Sequence, residues 1–130
     1  MTFTTIMTPP NPLSKNDLKR GDVVLVTFPN SDLRTAKLRP ALVVQSDDLD
    51  SELSQIVVAM ISSNLKRAGR ESRVLIETST HAGKRSGLLF DSVVVCDNLA
   101  TVSLRAVNRV IGHLDETNDI DEALKHTLRL

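Results

Sequence analysis

The chain has 130 residues, which is enough for one domain and too few for two ordinary ones. Hydrophobic residues make up 41% and charged residues 25%, a balance that excludes a disordered chain. The formal net charge is zero, from 16 basic and 16 acidic residues, whereas a nucleic-acid-binding protein usually shows a basic excess.

The amino-terminal segment and the single cysteine bear on location. Residues 1–16 include three prolines and lack the charged start and apolar block of a secretory signal, so we expect a flexible extension before a domain at 17–130. No apolar run approaches the ~20 residues of a membrane helix. Cys96 is alone, which excludes an internal disulfide and suits a reducing compartment. We therefore expect a cytoplasmic protein with no membrane association.

Short aliphatic runs separated by polar, turn-forming stretches predict six strands. Only 2% of the chain is aromatic, so Val, Ile and Leu must build the core, and this bias favours strands. Six short strands at this spacing are typical of a curled sheet or small barrel, since closure removes exposed edges. The predicted strands are 22–28, 40–45 (with Pro40 at its first position, where a strand tolerates proline), 55–62, 73–77, 92–96 and 109–114.

The last segment has a helical period. Thr117 or Asn118 can cap a helix at 118–129, and Ile120, Leu124 and Leu128 then form a one-sided apolar stripe suited to packing on the sheet. The fold class is therefore mostly β with a C-terminal helix. Two long polar connections, 29–39 and 63–72, are rich in Arg or Lys and are expected to be functional or mobile.

Residues arranged for metal or thiol chemistry are missing from the sequence. It has no paired Cys or His at metal spacing, no Gly-rich phosphate loop and no nucleophile elbow. His81, His113 and His126 are isolated, which favours structural or surface roles. Cys96 lies in an aliphatic strand, where cysteine is usually a small buried hydrophobe. We expect no metal and no cofactor.

Polar residues at strand ends are the remaining candidates for chemistry. Arg39 precedes Pro40, which restricts its backbone to extended conformations, and a guanidinium suits a phosphate. Ser62 and Ser63 end the third predicted strand, where hydroxyls can donate to a phosphate or a ribose. A structural ion pair for Arg39 and a plain strand end for the serines are the alternatives. Segment 66–85 is predominantly basic, which permits a basic groove or simply a solvated face.

Four sequence blocks occur in a distinctive order: KRGDVVLVTF at 19–28, LRPALVV at 38–44, IVVAMISS at 56–63, and GL followed by DSVVVCD within 87–97. Together they resemble the MazF/PemK family of toxin endoribonucleases across about residues 19–114, and the predicted helix agrees with that family's C-terminal helix. The resemblance implies a small SH3-like β-barrel of the MazF/CcdB-like plasmid maintenance toxin fold. It also implies a homodimer that cleaves single-stranded RNA without a metal and is silenced by a cognate antitoxin.

The resemblance assigns catalytic roles unevenly. The family's R-P arginine falls on Arg39, the Thr or Ser that ends its third strand falls on Ser62, and Asp97 matches an aspartate that some members use near the scissile phosphate. The arginine that those members carry two residues earlier is Val95 here, and the first-loop His or Glu of other members is absent. The identity of the general base and acid therefore stays open.

Metal-free RNA cleavage uses the ribose 2′-OH as nucleophile and leaves 2′,3′-cyclic phosphate and 5′-OH ends. We expect Arg39 to stabilise the negative charge that builds on the phosphorane oxygens and Ser62 to hold a phosphate oxygen or the 2′-OH. The first loop, 30–38, is expected to read the RNA sequence, and Phe28 either stacks a base or packs in the core. The predicted RNA-binding set is Phe28, Asp32, Arg34, Lys37, Ser63, Lys66 and Arg67.

Two other functions remain open. Gyrase-poisoning toxins resemble the same barrel but depend on aromatic residues at the end of the C-terminal helix, and this chain ends HTLRL. A catalytically weak relative that only binds RNA would also keep Arg39 and Ser62. The missing base keeps this second alternative open.

Overall fold

The computed structural model describes residues 13–29, 32–49 and 51–130. Most of the predicted extension at 1–16, and positions 30 and 31 of the first loop, lie outside these ranges. Within them the chain forms six strands, two α-helices and three short 3-10 turns. The strands are β1 Asp22–Pro29, β2 Ala36–Val43, β3 Gln55–Ser62, β4 Arg73–Ile76, β5 Ser92–Ser103 and β6 Val107–His113, and the helices are α1 His81–Ser86 and α2 Asn118–Leu128.

All six strands belong to one antiparallel sheet in the order β4-β5-β3-β2-β1-β6. Only the 3-10 turn Leu104–Ala106 separates β5 from β6 along the chain, although three strands lie between them in the sheet. The sheet must therefore curl until the ends of these two strands meet. Among the described residues β4 and β6 remain the two edges, so the predicted barrel is a curled sheet that hydrogen bonds do not close.

Two strands, β2 and β5, differ by more than two residues from their predicted bounds. β2 begins at Ala36, so Pro40 lies inside the strand and pairs with Leu25 of β1. Pairing of β2 with β3 begins only at Ala41, so residues 36–40 form an edge that can accept a proline. β5 continues beyond its predicted end and contains a large bulge. Met60 pairs with Val95 and Ala59 with Leu99, which leaves residues 96–98 unpaired with β3.

Two apolar clusters stabilise the fold. One lies inside the curl and includes Val24, Val58 and Val102, with Leu13 packed against it. The other lies between the sheet and α2, where Ile120 is 2% exposed and Leu124 packs against the cluster. Burying a side chain such as Ile120 stabilises the fold by about 1.5–3 kcal/mol relative to leaving it in water. The mostly β class with a C-terminal helix is thus confirmed.

The helix α1 was not predicted from the sequence. Thr80 caps it by accepting a hydrogen bond from the Gly83 amide at 3.0 Å, and it ends at Gly87, whose φ of 74° is left-handed. In the described ranges no helix is both long and apolar enough to cross a membrane.

Candidate functional site

An open groove of about 920 Å³ runs past the adjoining ends of β2 and β3. Its lining includes four basic side chains and neither a carboxylate nor a histidine among the described residues. The basic residues come from separate parts of the chain: Lys37 and Arg39 on β2, Arg67 after β3, and Arg109 on β6. The curl of the sheet gathers them, because β6 and β3 are not neighbours in the sheet order.

Arg39 projects into this groove from β2, where its backbone pairs with Val26 of β1. The side chain is exposed, and in the described part of the chain it makes no hydrogen bond or ion pair. The β2–β3 ladder ends at Ala41 and Met60, and extending its register by two residues would place Arg39 opposite Ser62. Both residues that the sequence singled out line the groove, although Arg39 lies inside β2 and not at its end as predicted.

Ser62 is half-buried at the end of β3, and its Oγ accepts a hydrogen bond from the Asn64 amide at 3.1 Å. Because this bond uses only an oxygen lone pair, the hydroxyl proton stays available for a ligand. The Asn64 side chain in turn accepts from the Lys66 amide at 3.2 Å and caps the turn Leu65–Arg67. Arg67 and Ser63 line the groove, whereas Lys66 is exposed outside the lining.

Asp97 does not line the groove. It lies in the β5 bulge and binds Arg73 through two hydrogen bonds, Nε to Oδ1 at 3.2 Å and a terminal nitrogen to Oδ2 at 3.1 Å. The hydrogen bond and charge of Arg73 hold the pKa of Asp97 below its ordinary value of 3.8. A carboxylate with a lowered pKa that is already paired is a weak proton acceptor at neutral pH.

The first loop is shaped by Asp32. Its carboxylate accepts hydrogen bonds from the backbone amides of Arg34 at 2.9 Å and Thr35 at 3.1 Å, and these bonds lower the pKa of Asp32. Asp32 and Arg34 are exposed and lie outside the groove lining, while Lys37 lies within it. Phe28 packs against the core inside the curl and also lines the groove.

Most of the chain, residues 19–128, matches the family model described as PemK-like, MazF-like toxin of type II toxin-antitoxin system. The chain belongs to this family. It is 30% identical over 116 residues to Endoribonuclease EndoA of Bacillus subtilis (strain 168), an alignment that covers 87% of this chain and 96% of that protein.

Solved structures of this toxin fold agree with the architecture. An endoribonuclease in complex with its cognate antitoxin from a Mycobacterial species aligns with a TM-score of 0.66 at 21% identity, covering 87% of this chain and 96% of that one. MazE-MazF (Form-II) from Deinococcus radiodurans aligns with a TM-score of 0.62 at 15% identity, covering 87% and 96% of the two chains. Both likenesses support the fold assignment.

Among the groove residues of this PemK/MazF chain that sequence reasoning missed are Arg109, Asn98 and Phe90. Arg109 is distant in sequence and reaches the groove only because β6 pairs with β1 opposite Leu25. Asn98 belongs to the bulge in β5 that follows the apolar run, and Phe90 to the loop before β5. No local sequence pattern marks the first two, whereas Phe90 ends a short apolar run that begins at Leu88, which is a weak signal.

The thiol and the histidines lie away from the groove. Cys96 is buried, and burial raises the pKa of its thiol to about 11, so it stays protonated. His113 contacts Asp22 at 2.7 Å and His126 contacts Glu71 at 2.9 Å, as structural and surface residues would. Within the described ranges no group of three His, Cys, Asp or Glu side chains could hold a metal ion.

Proposed function

We propose that this chain is an endoribonuclease that cleaves single-stranded RNA without a metal, as the toxin of a toxin–antitoxin pair in the cytoplasm. One observation carries the proposal: Arg39 and Ser62 line one groove, and its lining includes four cations and no carboxylate among the described residues. A guanidinium offers a phosphate two parallel charge-assisted hydrogen bonds and keeps its proton at any physiological pH. The metal-free route follows the family resemblance.

The proposed reaction is an internal displacement at phosphorus. The 2′-oxygen forms a bond to phosphorus, the bond to the 5′-oxygen breaks, and the products carry a 2′,3′-cyclic phosphate and a 5′-OH. Arg39 stabilises the negative charge on the equatorial oxygens, and the Ser62 hydroxyl donates to one of them. Preorganised donors of this kind can each lower a barrier by about 1.5–4 kcal/mol. The 2′-proton passes to solvent, and the leaving 5′-oxygen takes a proton from solvent.

The other basic residues are assigned to the RNA backbone. Lys37, Arg67 and Arg109 neutralise phosphates on either side of the cleaved bond, and Ser63 donates to a phosphate oxygen at the rim. Arg34 and Lys66 extend this basic surface beyond the groove, and Asp32 fixes the shape of the sequence-reading loop. Single strands are favoured because in-line attack needs a nucleotide that has left a helix.

A homodimer and an antitoxin complete the proposal. Two copies would gather two basic loops around one RNA strand. The complexes named for the Mycobacterial and Deinococcus relatives support a protein antitoxin as partner. We expect its acidic, partly disordered segment to cover the groove, because an acidic segment complements these cations.

The test compares RNA with DNA. Purified chain in excess EDTA is incubated with a mixed-sequence single-stranded RNA and with the DNA of the same sequence, and the ends of the fragments are analysed. RNA fragments with 2′,3′-cyclic phosphate ends, together with intact DNA, are expected because DNA lacks the nucleophile. Intact RNA would contradict the proposal.

A second candidate is an RNA-binding relative that does not cleave. It is favoured by the groove lining, in which the described residues include no His, Asp or Glu to act as general base. The same incubation decides between the two, because a binder would retain labelled RNA on a filter while leaving it intact.

A further inference from the structure

Two large apolar side chains lie exposed in the loop before β5. Leu89 is 85% exposed and Phe90 is 69% exposed. The chain contains only three phenylalanines and neither Trp nor Tyr, so one of its few aromatic rings faces solvent. Adjacent exposed apolar residues of this size commonly mark a binding site.

The backbone that carries Phe90 is held in place. Ser92 Oγ donates to the Phe90 carbonyl at 2.8 Å, and the neighbouring Asp91 carboxylate accepts from the Thr78 amide at 2.8 Å and from its hydroxyl at 2.9 Å. These two hydrogen bonds from Thr78 lower the pKa of Asp91. The Asp91 carboxylate therefore stays ionised at neutral pH and keeps accepting both bonds. The ring is therefore presented from a fixed loop, and little ordering is needed when a ligand binds.

The surroundings of Phe90 indicate what the ligand is. Phe90 lines the same groove as Arg39 and Arg109, and the β5 bulge brings the exposed amide of Asn98 to that lining. Aromatic rings interleaved with cations are the composition of single-stranded RNA sites, where bases stack and phosphates are neutralised. Aromatic residues and Arg are also enriched at protein–protein interfaces, so the test below includes a contact between copies of the chain as an outcome that would overturn the inference.

We propose that Phe90 is a stacking platform for one unpaired base of the RNA bound in the groove. This inference rests on the proposed RNA substrate and deepens it, because it names a residue that selects unpaired over paired nucleotides. An aromatic face cannot stack on a base that is already stacked inside a duplex. The Asn98 amide, which can both donate and accept, is then available to the edge of that base.

The test places a fluorescent reporter at this position. Phe90→Trp introduces the only indole of the chain, so any tryptophan emission comes from this loop. Leu130→Trp, at a position 86% exposed beyond α2, is the matched control. The probe is a short mixed-sequence RNA in which every 2′-OH is methylated, so that it lacks the nucleophile. Binding is followed independently by the anisotropy of a dye on the RNA.

We expect RNA to quench the emission of Phe90→Trp in parallel with the rise in anisotropy, and to leave the emission of Leu130→Trp unchanged. Phe90→Ala and Phe90→Leu should both weaken RNA binding by about 10-fold, since stacking on a base needs the ring and not merely apolar bulk. Phe90→Leu also controls for folding, because it keeps a large side chain at an exposed position.

Three outcomes would overturn the inference. A rise in anisotropy with constant Phe90→Trp emission would remove Phe90 from the RNA site and leave the proposed endoribonuclease intact. No rise in anisotropy with the wild-type chain would overturn the RNA substrate and the inference together. An emission change that depends on protein concentration, with no further effect of RNA, would assign Phe90 to a contact between copies of the chain.

Discussion

The groove and the surface around α2 both carry basic residues, but the two surfaces differ in whether an acidic side chain pairs with them. Around α2 the cations meet acids: Arg20 meets Asp121 at 2.5 Å, Arg85 meets Asp115 at 2.6 Å, and Arg73, near the helix, meets Asp97 at 3.1 Å. In the groove the cations meet no acid among the described residues. Those cations are Lys37, Arg39, Arg67 and Arg109.

This difference explains how a chain of zero net charge can bind a polyanion. The net charge is a sum over both surfaces. On the surface around α2, opposite charges are paired. In the groove, the cations have no acidic partner among the described residues. A paired arginine has its hydrogen-bond donors occupied, whereas an unpaired arginine presents them to a ligand. In this chain, pairing with acids distinguishes the proposed RNA-binding surface from the rest, and the net charge does not.

An acidic residue introduced into the groove should pair with its cations, as acids do around α2, and should strongly reduce the rate of RNA cleavage. Ser63 lines the groove and is exposed, so Ser63→Asp places a carboxylate beside the cations and the incoming phosphates. We expect RNA cleavage to fall by about 100-fold, because like charges in juxtaposition cost several kcal/mol. Ser63→Asn is the neutral control of the same shape. Equal rates for the two variants would show that the charge of the groove is unimportant.

Removing the strand-end hydroxyl should have the next largest effect. Ser62→Ala deletes a donor to a charged phosphate oxygen, and a hydrogen bond to a charged group contributes about 1.5–3 kcal/mol, so a loss of roughly 10- to 100-fold in cleavage rate is expected. Ser62→Thr keeps the hydroxyl and should keep most of the rate. A Ser62→Ala rate equal to wild type would remove this residue from the reaction.

Arg109 tests whether the groove cations act on the backbone of the RNA. Arg109→Ala should weaken RNA binding and reduce the salt dependence, lowering the slope of log affinity against log salt by about 0.7 for one lost single-strand contact. Affinity measured over a series of salt concentrations gives this slope. An unchanged slope would mean that Arg109 does not contact a phosphate.

Breaking an ion pair on the surface around α2 should lower the free energy of unfolding by a small amount. Asp97→Asn breaks the ion pair with Arg73, and because the Asp97 side chain is 37% exposed, solvent screening limits the loss to about 0.5–1 kcal/mol. The folded pKa of Asp97 is lowered, so its stabilisation is full above the unfolded pKa and disappears as the pH falls through the folded value. The free energies of unfolding of the two proteins should therefore differ at neutral pH, begin to approach each other below about pH 4, and become equal only once the pH lies below the folded pKa of Asp97. A difference that persists in acid would contradict the ion-pair origin.

The sequence predicted elements whose signals are local. β3 was predicted at its observed bounds because its aliphatic run is bounded by polar residues, and α2 because its apolar stripe repeats with a helical period. β5 continues to Ser103 where the prediction stopped at residue 96, since the bulge begins where the apolar run ends. α1 was missed because His81–Ser86 is short, contains Gly83 and has no apolar stripe.

In the candidate site, too, the sequence predicted the residues whose signals are local. Arg39 and Ser62 each stand beside a local marker, a proline in one case and a strand end in the other. Arg109 enters the groove only through the curl of the sheet, and the partner that occupies Asp97 is set by the pairing of β4 with β5. Such long-range pairings depend on register, which one sequence alone does not specify.

The most direct test of the account compares two arginines. Arg39→Ala removes an unpaired groove cation, and Arg105→Ala removes an exposed arginine outside the groove lining. Single-turnover cleavage of single-stranded RNA in EDTA should fall by about 10²- to 10³-fold for Arg39→Ala, the cost of losing one preorganised donor to the transition state, and stay unchanged for Arg105→Ala. Equal rates for both variants and the wild type would contradict the central claim that the unpaired groove cation carries the activity.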